Sequence, residues 1–544
     1  PLSKDALAFI AELQEVDGLQ DLADSARSHS LLSVRPELTL RSRRQAREPG
    51  VQSESQFAVG GEIKWRPRAD WVFDATLNPD FSQVELDVPQ LAGNTRFALS
   101  VPEKRPFFLE STDVLDLPLA AFYSRAITDP GWGLRATWRG VGADATGLSL
   151  RDDGGGLILR PGAYATEVAA QDLRSQTTLL RGRLHEPRFT MGALLSSRDY
   201  GDGRANHVIG ADALLRTSEQ QQFKLRALGS LTSALFDAAG QPARGEREDG
   251  QQWFASWWRR VPGWNFTAEA SRTSPRFRND NGFVEQAGVQ VLQTELVRRH
   301  GEVNLLGFSA DEFENYLWLQ QKSTLADPGR GINGGEIASR RVHPGIWLTA
   351  PRNTEAWLQL KLDAERSRAG GRLHSTRSMA GAWAFTPAPW FPRFNTEFEW
   401  GQRLDVDADR VGRGGMLLLE ANLRGSLPNG WGIEAQQRLQ HSVVNAPDGS
   451  RALSESNARW LGVLHFSARD ALRVVWQGSR LRRAADASGA LAAAEEQSAT
   501  TSLVFQRRVG VGRSFSVGAS HQSARPGVNR DTEAFAKLSF ELDR

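Results

Sequence analysis

In FAVGGEIKW (Phe57–Trp65), Phe57, Val59, Ile63 and Trp65 fall on one face of an extended chain, and Ala58, Gly60, Glu62 and Lys64 on the other. Side chains alternate across a strand, so this stretch has one greasy face and one wet face. The pattern continues outward from it. Trp71, Phe73, Ala75 and Leu77 oppose Val72, Asp74 and Thr76, and Trp264, Phe266, Ala268 and Ala270 oppose Asn265, Thr267, Glu269 and Ser271. It returns with Leu358, Leu360 and Leu362, with Phe394, Thr396, Phe398 and Trp400, and near the end with Ala534, Ala536, Leu538, Phe540 and Leu542. Turn chemistry (DDGGG, PNG, APDGS, ARPGVN) separates roughly 24 such segments of about 10 to 14 residues. That is twice the usual strand of about 5 to 6 residues, and the length a tilted strand needs to cross a bilayer. Two dozen two-faced strands in an open sheet would leave long edges, and closure removes them. The expected fold is all-β, a large closed transmembrane antiparallel barrel of roughly 24–26 strands, spanning residues 31–544.

Composition agrees and narrows the functions. Lys+Arg 66 against Asp+Glu 64 leaves +2, so no basic stripe points to nucleic acid. With no cysteine there is no disulfide framework, thiolate metal site or cysteine nucleophile. Seventeen Trp and 26 Phe in a chain of negative mean hydropathy fit interfacial girdles, core or sugar stacking being the alternative. Ala6, Phe9, Ile10, Leu13 and Val16 predict a short helix within residues 1–30. A start at PLSKDALAFI reads as a mature or truncated piece. Short turns such as Val261–Gly263 and Pro428–Gly430 are assigned to the periplasmic rim. Phe236–Gly250, Arg278–Gly288, Leu325–Gly335 and Ala484–Gln497 are assigned outside. The assignment of connectors to rims does not alternate strictly.

Between Asn78 and Gly131 the alternation lapses, and six of the chain's 24 prolines lie there. Proline lacks a ladder donor, and irregular backbone cannot face hydrocarbon. Phe107, Phe108, Leu109, Val114, Leu115, Leu117, Leu119 and Phe122 are too apolar for a solvated loop. Residues 79–130 are therefore expected inside the barrel as a plug. Its candidate anchoring or gating residues are Glu103, Lys104, Arg105, Phe107, Phe108, Glu110, Tyr123 and Arg125. Lys104 and Arg105 are expected to pair with lumenal carboxylates.

NPDFSQVELD (Asn78–Asp87), RFALSVPEKRPFFLES (Arg96–Ser111) and FYSRAI (Phe122–Ile127) resemble a bacterial outer-membrane barrel family with an uncharacterised C-terminal domain, domain of unknown function 5916. RFRNDNGFVEQ (Arg276–Gln286) is similar to a second signature of it. The resemblance runs from about residue 30 to the end. It implies an outer-membrane location and, upstream, a carbohydrate-binding family 9-like sandwich that is absent from this sequence. Any glycan binding by that sandwich is not carried over.

Asp405, Asp407 and Asp409 form a D-x-D-x-D run, but Arg410 stands at the sixth position and Met416 at the twelfth, so it fails as an EF-hand. The glycine-rich Gly329–Gly335 lacks the lysine of a phosphate loop. Nine scattered histidines include no HExxH. His465 and His521 lie in predicted strands without an identifiable serine partner. No catalytic, metal or cofactor site is assigned. The expected function is a plugged conduit for a polar solute, polysaccharide or polypeptide. The alternatives are an assembly platform and, third, a membrane-embedded hydrolase. The expected partners are the bilayer and its lipopolysaccharide, with a periplasmic or surface protein besides.

Overall fold

The computed structural model describes residues 30–47, 50–81, 85–115, 121–233, 247–305, 307–485, 491–509, 513–527 and 529–543. The helix expected before residue 30, most of the connector Phe236–Gly250 and residues 486–490 of the connector Ala484–Gln497 lie outside them. A 25-stranded antiparallel sheet forms the wall, and the two-residue strand Leu542–Asp543 continues Asn529–Phe540, so the barrel has 24 staves. β1 (Leu31–Arg47) pairs with β2 (Gly50–Arg68) and closes the ring against Asn529–Phe540, from Glu37↔Ser539 to Ala46↔Arg530.

The connectors alternate strictly between rims, where the sequence reading did not find strict alternation. One rim carries the beginning of β1, the end of Asn529–Phe540, and turns such as 69–70, 187–188, 262–263 and 427–431. Gly263 and Gly430, at φ 73° and 81°, supply the left-handed positions these tight turns need. The other rim carries 153–174, 274–288 and 325–336. Short turns inside and long loops outside identify the first rim as periplasmic.

Burial is inverted relative to a water-soluble protein. Phe57 is 62% and Trp400 65% exposed, while Arg135 is 4% and Lys537 2% exposed. A continuous apolar exterior over a closed hydrogen-bonded wall is the arrangement a bilayer demands, and it places this barrel in the outer membrane. The aromatic residues concentrate near the periplasmic rim, where Trp71 stacks on Phe73 at 5.2 Å, Trp383 on Phe385 at 4.4 Å, and Trp431 meets Phe466 at 4.8 Å. Towards the outer rim the exterior instead carries exposed arginines, among them Arg272, Arg340, Arg377 and Arg413.

One stave is short. β3 (Trp71–Leu77) pairs with β2 only up to Gly61↔Leu77, and there the chain leaves the wall for the lumen. It returns at the strand Pro130–Arg139. Asn78, at φ 43°, makes the corner, and its N–H donates to Gly131 O at 2.7 Å, pinning exit and return together.

Candidate functional site: the lumenal insert

The insert first crosses to the far wall on polar contacts. Asp80 pairs with Arg41 and accepts from Thr39 Oγ1 at 3.0 Å, while Lys537 Nζ donates to Asp80 O at 2.8 Å. Arg459 pairs with Glu85 and donates to Leu86 O. Glu455 receives the N–H groups of Ala92 and Gly93, both at 2.9 Å, and Arg483 donates to Gly93 O. The Asn94 amide donates to Leu404 O and accepts from Val406 N–H. Arg96 pairs with Glu365 at 3.3 Å.

It then turns back as the PEKRPFFLE stretch. Glu103 accepts from Arg105 Nε at 2.9 Å, Arg105 Nη2 at 2.7 Å and Ser124 Oγ at 2.6 Å. Arg105 also donates to Ser124 O and Ile127 O and lies 4.2 Å from the Phe108 ring centroid. Pro106 opens a single helical turn, α1 (Pro106–Leu109), where its missing N–H costs nothing. That turn buries Phe107 and Phe108 among Ala121, Ile127, Leu148, Leu150, Leu179, Leu194, Val208, Leu228, Phe277 and Val284. Phe107 fits against Gly133, where a Cβ would lie 3.0 Å from its ring. This core joins insert, wall and loop on one side of the barrel.

The structure corrects the expected polarity of the ion pairs. Lys104 donates to Glu85 O and Leu86 O, and Arg105 binds Glu103, so both cations serve the insert's own fold. The physical reason is local: Glu103 is two residues from Arg105 and closes the turn before any wall carboxylate is within reach. Contacts to the wall run mostly the other way, with wall cations holding insert carboxylates and carbonyls. Lys64 meets Glu110 at 2.5 Å, and Arg135 donates to Glu110 O at 2.9 Å.

The remaining candidates sit apart from the Glu103–Arg105 pair. Tyr123 Oη accepts from Val101 N–H at 2.8 Å, and its ring lies 5.0 Å from Phe283. Arg125 pairs with Asp87. Burial pushes the Glu103 carboxyl up, but its bonds to Arg105 and Ser124 outweigh this and hold it below the ordinary 4.5. Glu110 is likewise raised by burial and lowered further by Lys64, with the same net sign. Burial raises the Tyr123 phenol.

The connector Arg278–Gly288 springs from the outer rim, where it was expected, but does not project outward. It folds inward onto the insert: Asn279 Nδ2 donates to Ala121 O, and Asn281 O accepts from Tyr123 N–H. Phe277 and Val284 in a supposedly wet connector were the available signal. The acidic run is also occupied, since Asp405 and Asp407 pair with Arg483, Asp407 with Arg368, and Asp409 with His374. Among the described residues no group of three or more His, Cys, Asp or Glu could hold a metal. Ser197–His207 and Ser456–His441 hydrogen bonds lie on the lipid-facing surface with no carboxylate bonded to either ring among the described residues. Below the insert, a cavity of about 1060 Å³ lies between Asp80, Glu85 and Lys104 on one side and Arg35, Arg473 and the periplasmic turns on the other.

Residues 32–133, from β1 to the insert's return, match the profile of a domain of unknown function, DUF5916. The carbohydrate-binding family 9-like domain has no counterpart in that span. No curated protein matches the chain. Among solved structures, the chain is similar to OccAB4 of Acinetobacter baumannii (TM-score 0.30, 6% identity, 95% of this chain and 99% of that one). It is also similar to OccK8 (OprE) of Pseudomonas aeruginosa (0.29, 9%, 95% and 98%) and to the siderophore receptor PirA of A. baumannii (0.44, 8%, 94% and 80%).

Proposed function

We propose that this barrel is an outer-membrane conduit for a polar solute, polysaccharide or polypeptide, held shut by its insert. The observation that carries this is the asymmetry of the insert's attachment. Phe107–Ile127 is bonded through an apolar core, whereas the arc from Asp80 to Arg96 holds the far wall by polar contacts alone of those described above. Polar contacts in a wet lumen exchange with water at little net cost, about 0.5–1.5 kcal/mol each, while an apolar core does not. The arc is therefore the part that moves, and the vestibule beneath it is where the path opens. Glu103, Lys104, Arg105, Tyr123 and Arg125 keep the insert folded, and Glu110 anchors it.

Planar-bilayer recording tests this. The wild-type barrel should be closed, the triple variant Glu455→Gln, Arg459→Met, Lys537→Met should pass frequent current steps, and deletion of residues 81–128 should give a large steady current. A folded deletion variant that stays silent would favour the platform reading instead.

The partners this reading calls for are the bilayer and its lipopolysaccharide. Supporting the latter, Arg272, Arg340, Arg377 and Arg413 face outward near the outer strand ends, directly above exposed Leu292, Leu362, Met379 and Leu417. That is the depth at which lipid phosphates lie.

A further inference from the structure

Glu365 bonds the insert's Arg96, so on Thr354–Glu365 the odd-numbered side chains face the lumen. Arg341 bonds Glu365, which makes the odd residues of Ile337–Ala350 lumenal, and Lys322 over Phe97 of the insert makes the even residues of Phe308–Thr324 lumenal. On these three neighbouring strands the inward positions include Trp318, Tyr316, Trp347 and Trp357, all half-buried. They descend from four residues below Lys322 to near the periplasmic ends of their strands.

Two of the rings, Tyr316 and Trp318, lie against the wall. A Cβ at Gly345 would sit 2.4 Å from the Tyr316 ring, so the tyrosine occupies the space that a glycine leaves free. Trp318 lies over His343 with centroids 5.0 Å apart and the rings tilted by 33°. A ring laid against the wall turns its other face to the lumen. Between the rings stand neutral amides: Gln320 donates to Gln293 at 2.8 Å, and Gln359 accepts from Tyr316 Oη at 3.2 Å.

We infer that this ladder binds carbohydrate, as a track for a neutral oligosaccharide or polysaccharide. A sugar ring has C–H faces that suit the electron-rich face of an aromatic ring, and hydroxyl edges that suit amides, which both donate and accept. A cationic ligand would want free carboxylates beside the rings. Here Asp363 is bonded to His343 at 2.7 Å, Glu355 takes the Trp347 Nε1–H at 3.1 Å, and Glu312 is paired with Arg299. Glu295, across from Trp318, is the exception, a carboxylate placed to accept from a hydroxyl and the reason a cationic control is needed. The inference rests on the conduit reading and names its cargo.

Saturation-transfer NMR on the detergent-solubilised full chain tests it, with hexaoses of glucose, mannose, galactose and xylose as probes and spermine as the cationic control. The track reaches the periplasmic end, so binding does not require an open pore. At least one hexaose should bind. Trp318→Ala and Trp347→Ala should each weaken it about tenfold, Trp347→Phe should restore most of it, and lipid-facing Trp400→Ala should change nothing. Binding of no hexaose, binding unchanged in both alanine variants, or binding of spermine alone overturns the track. Sugar binding in a barrel whose triple variant never conducts would keep the track and remove the conduit.

Discussion

Lys64 of the wall and Glu110 of the insert meet at 2.5 Å, the wall supplying the cation and the stopper the carboxylate. This polarity makes the stopper's grip sensitive to acid, to substitution and to what occupies the lumen.

Breaking that pair should loosen the insert without unfolding the barrel. Lys64 keeps 35% and Glu110 28% of its side-chain surface, so the pair is worth only about 0–1 kcal/mol. Glu110→Gln should leave thermal stability nearly unchanged while adding brief current steps in bilayers; an unaltered current record would count against an anchoring role.

Arg105 is different in kind. Arg105→Met leaves the Glu103 carboxylate buried without its cation, a loss of about 3–5 kcal/mol to the insert's fold. Limited proteolysis should then cut within residues 85–130, and Glu103→Gln added to it should restore much of the protection. Equal cleavage in single and double variants would contradict the pairing.

Acid should open the closure. Glu103 and Glu110 are held below 4.5 in the folded protein, so both carboxylates stabilise the closed form fully above that value. This contribution is lost as pH falls through their folded pKa values. Conductance should rise on acidification below about pH 4.5 and stay flat towards alkali, with a smaller rise in a Glu110→Gln background. A rise on the alkaline side would reverse the sign and refute the assignment.

Arg483 holds both Asp405 and Asp407 and also Gly93 O. The wild-type melting temperature should be indifferent to calcium. Arg483→Met should cost about 1–3 kcal/mol, and adding Arg368→Met, which removes the second cation on Asp407, should create a calcium-dependent recovery. Calcium stabilisation of the wild type would disprove the pairing.

The barrel was legible because stretches such as Phe57–Trp65 state their period directly, and the insert because prolines cluster where that period lapses. Two things were hidden. Leu148, Leu150, Leu179 and Leu194 face inward and are covered by the insert, yet a period of two reveals that faces differ, not which one meets lipid. The inward fold of Arg276–Gln286 depended on partners about 150 residues away, Ala121 and Tyr123, and no local pattern encodes that. The direction of the ion pairs was misread because charge order along PEKR does not say that Glu103 captures Arg105.

Lys537 reaches Glu37 at 2.8 Å and Asp80 O at 2.8 Å, so one ammonium joins the last long strand, the first strand and the start of the insert. The strand that seals the ring therefore also carries the cation that seats the stopper, so cylinder and stopper are completed in the same event.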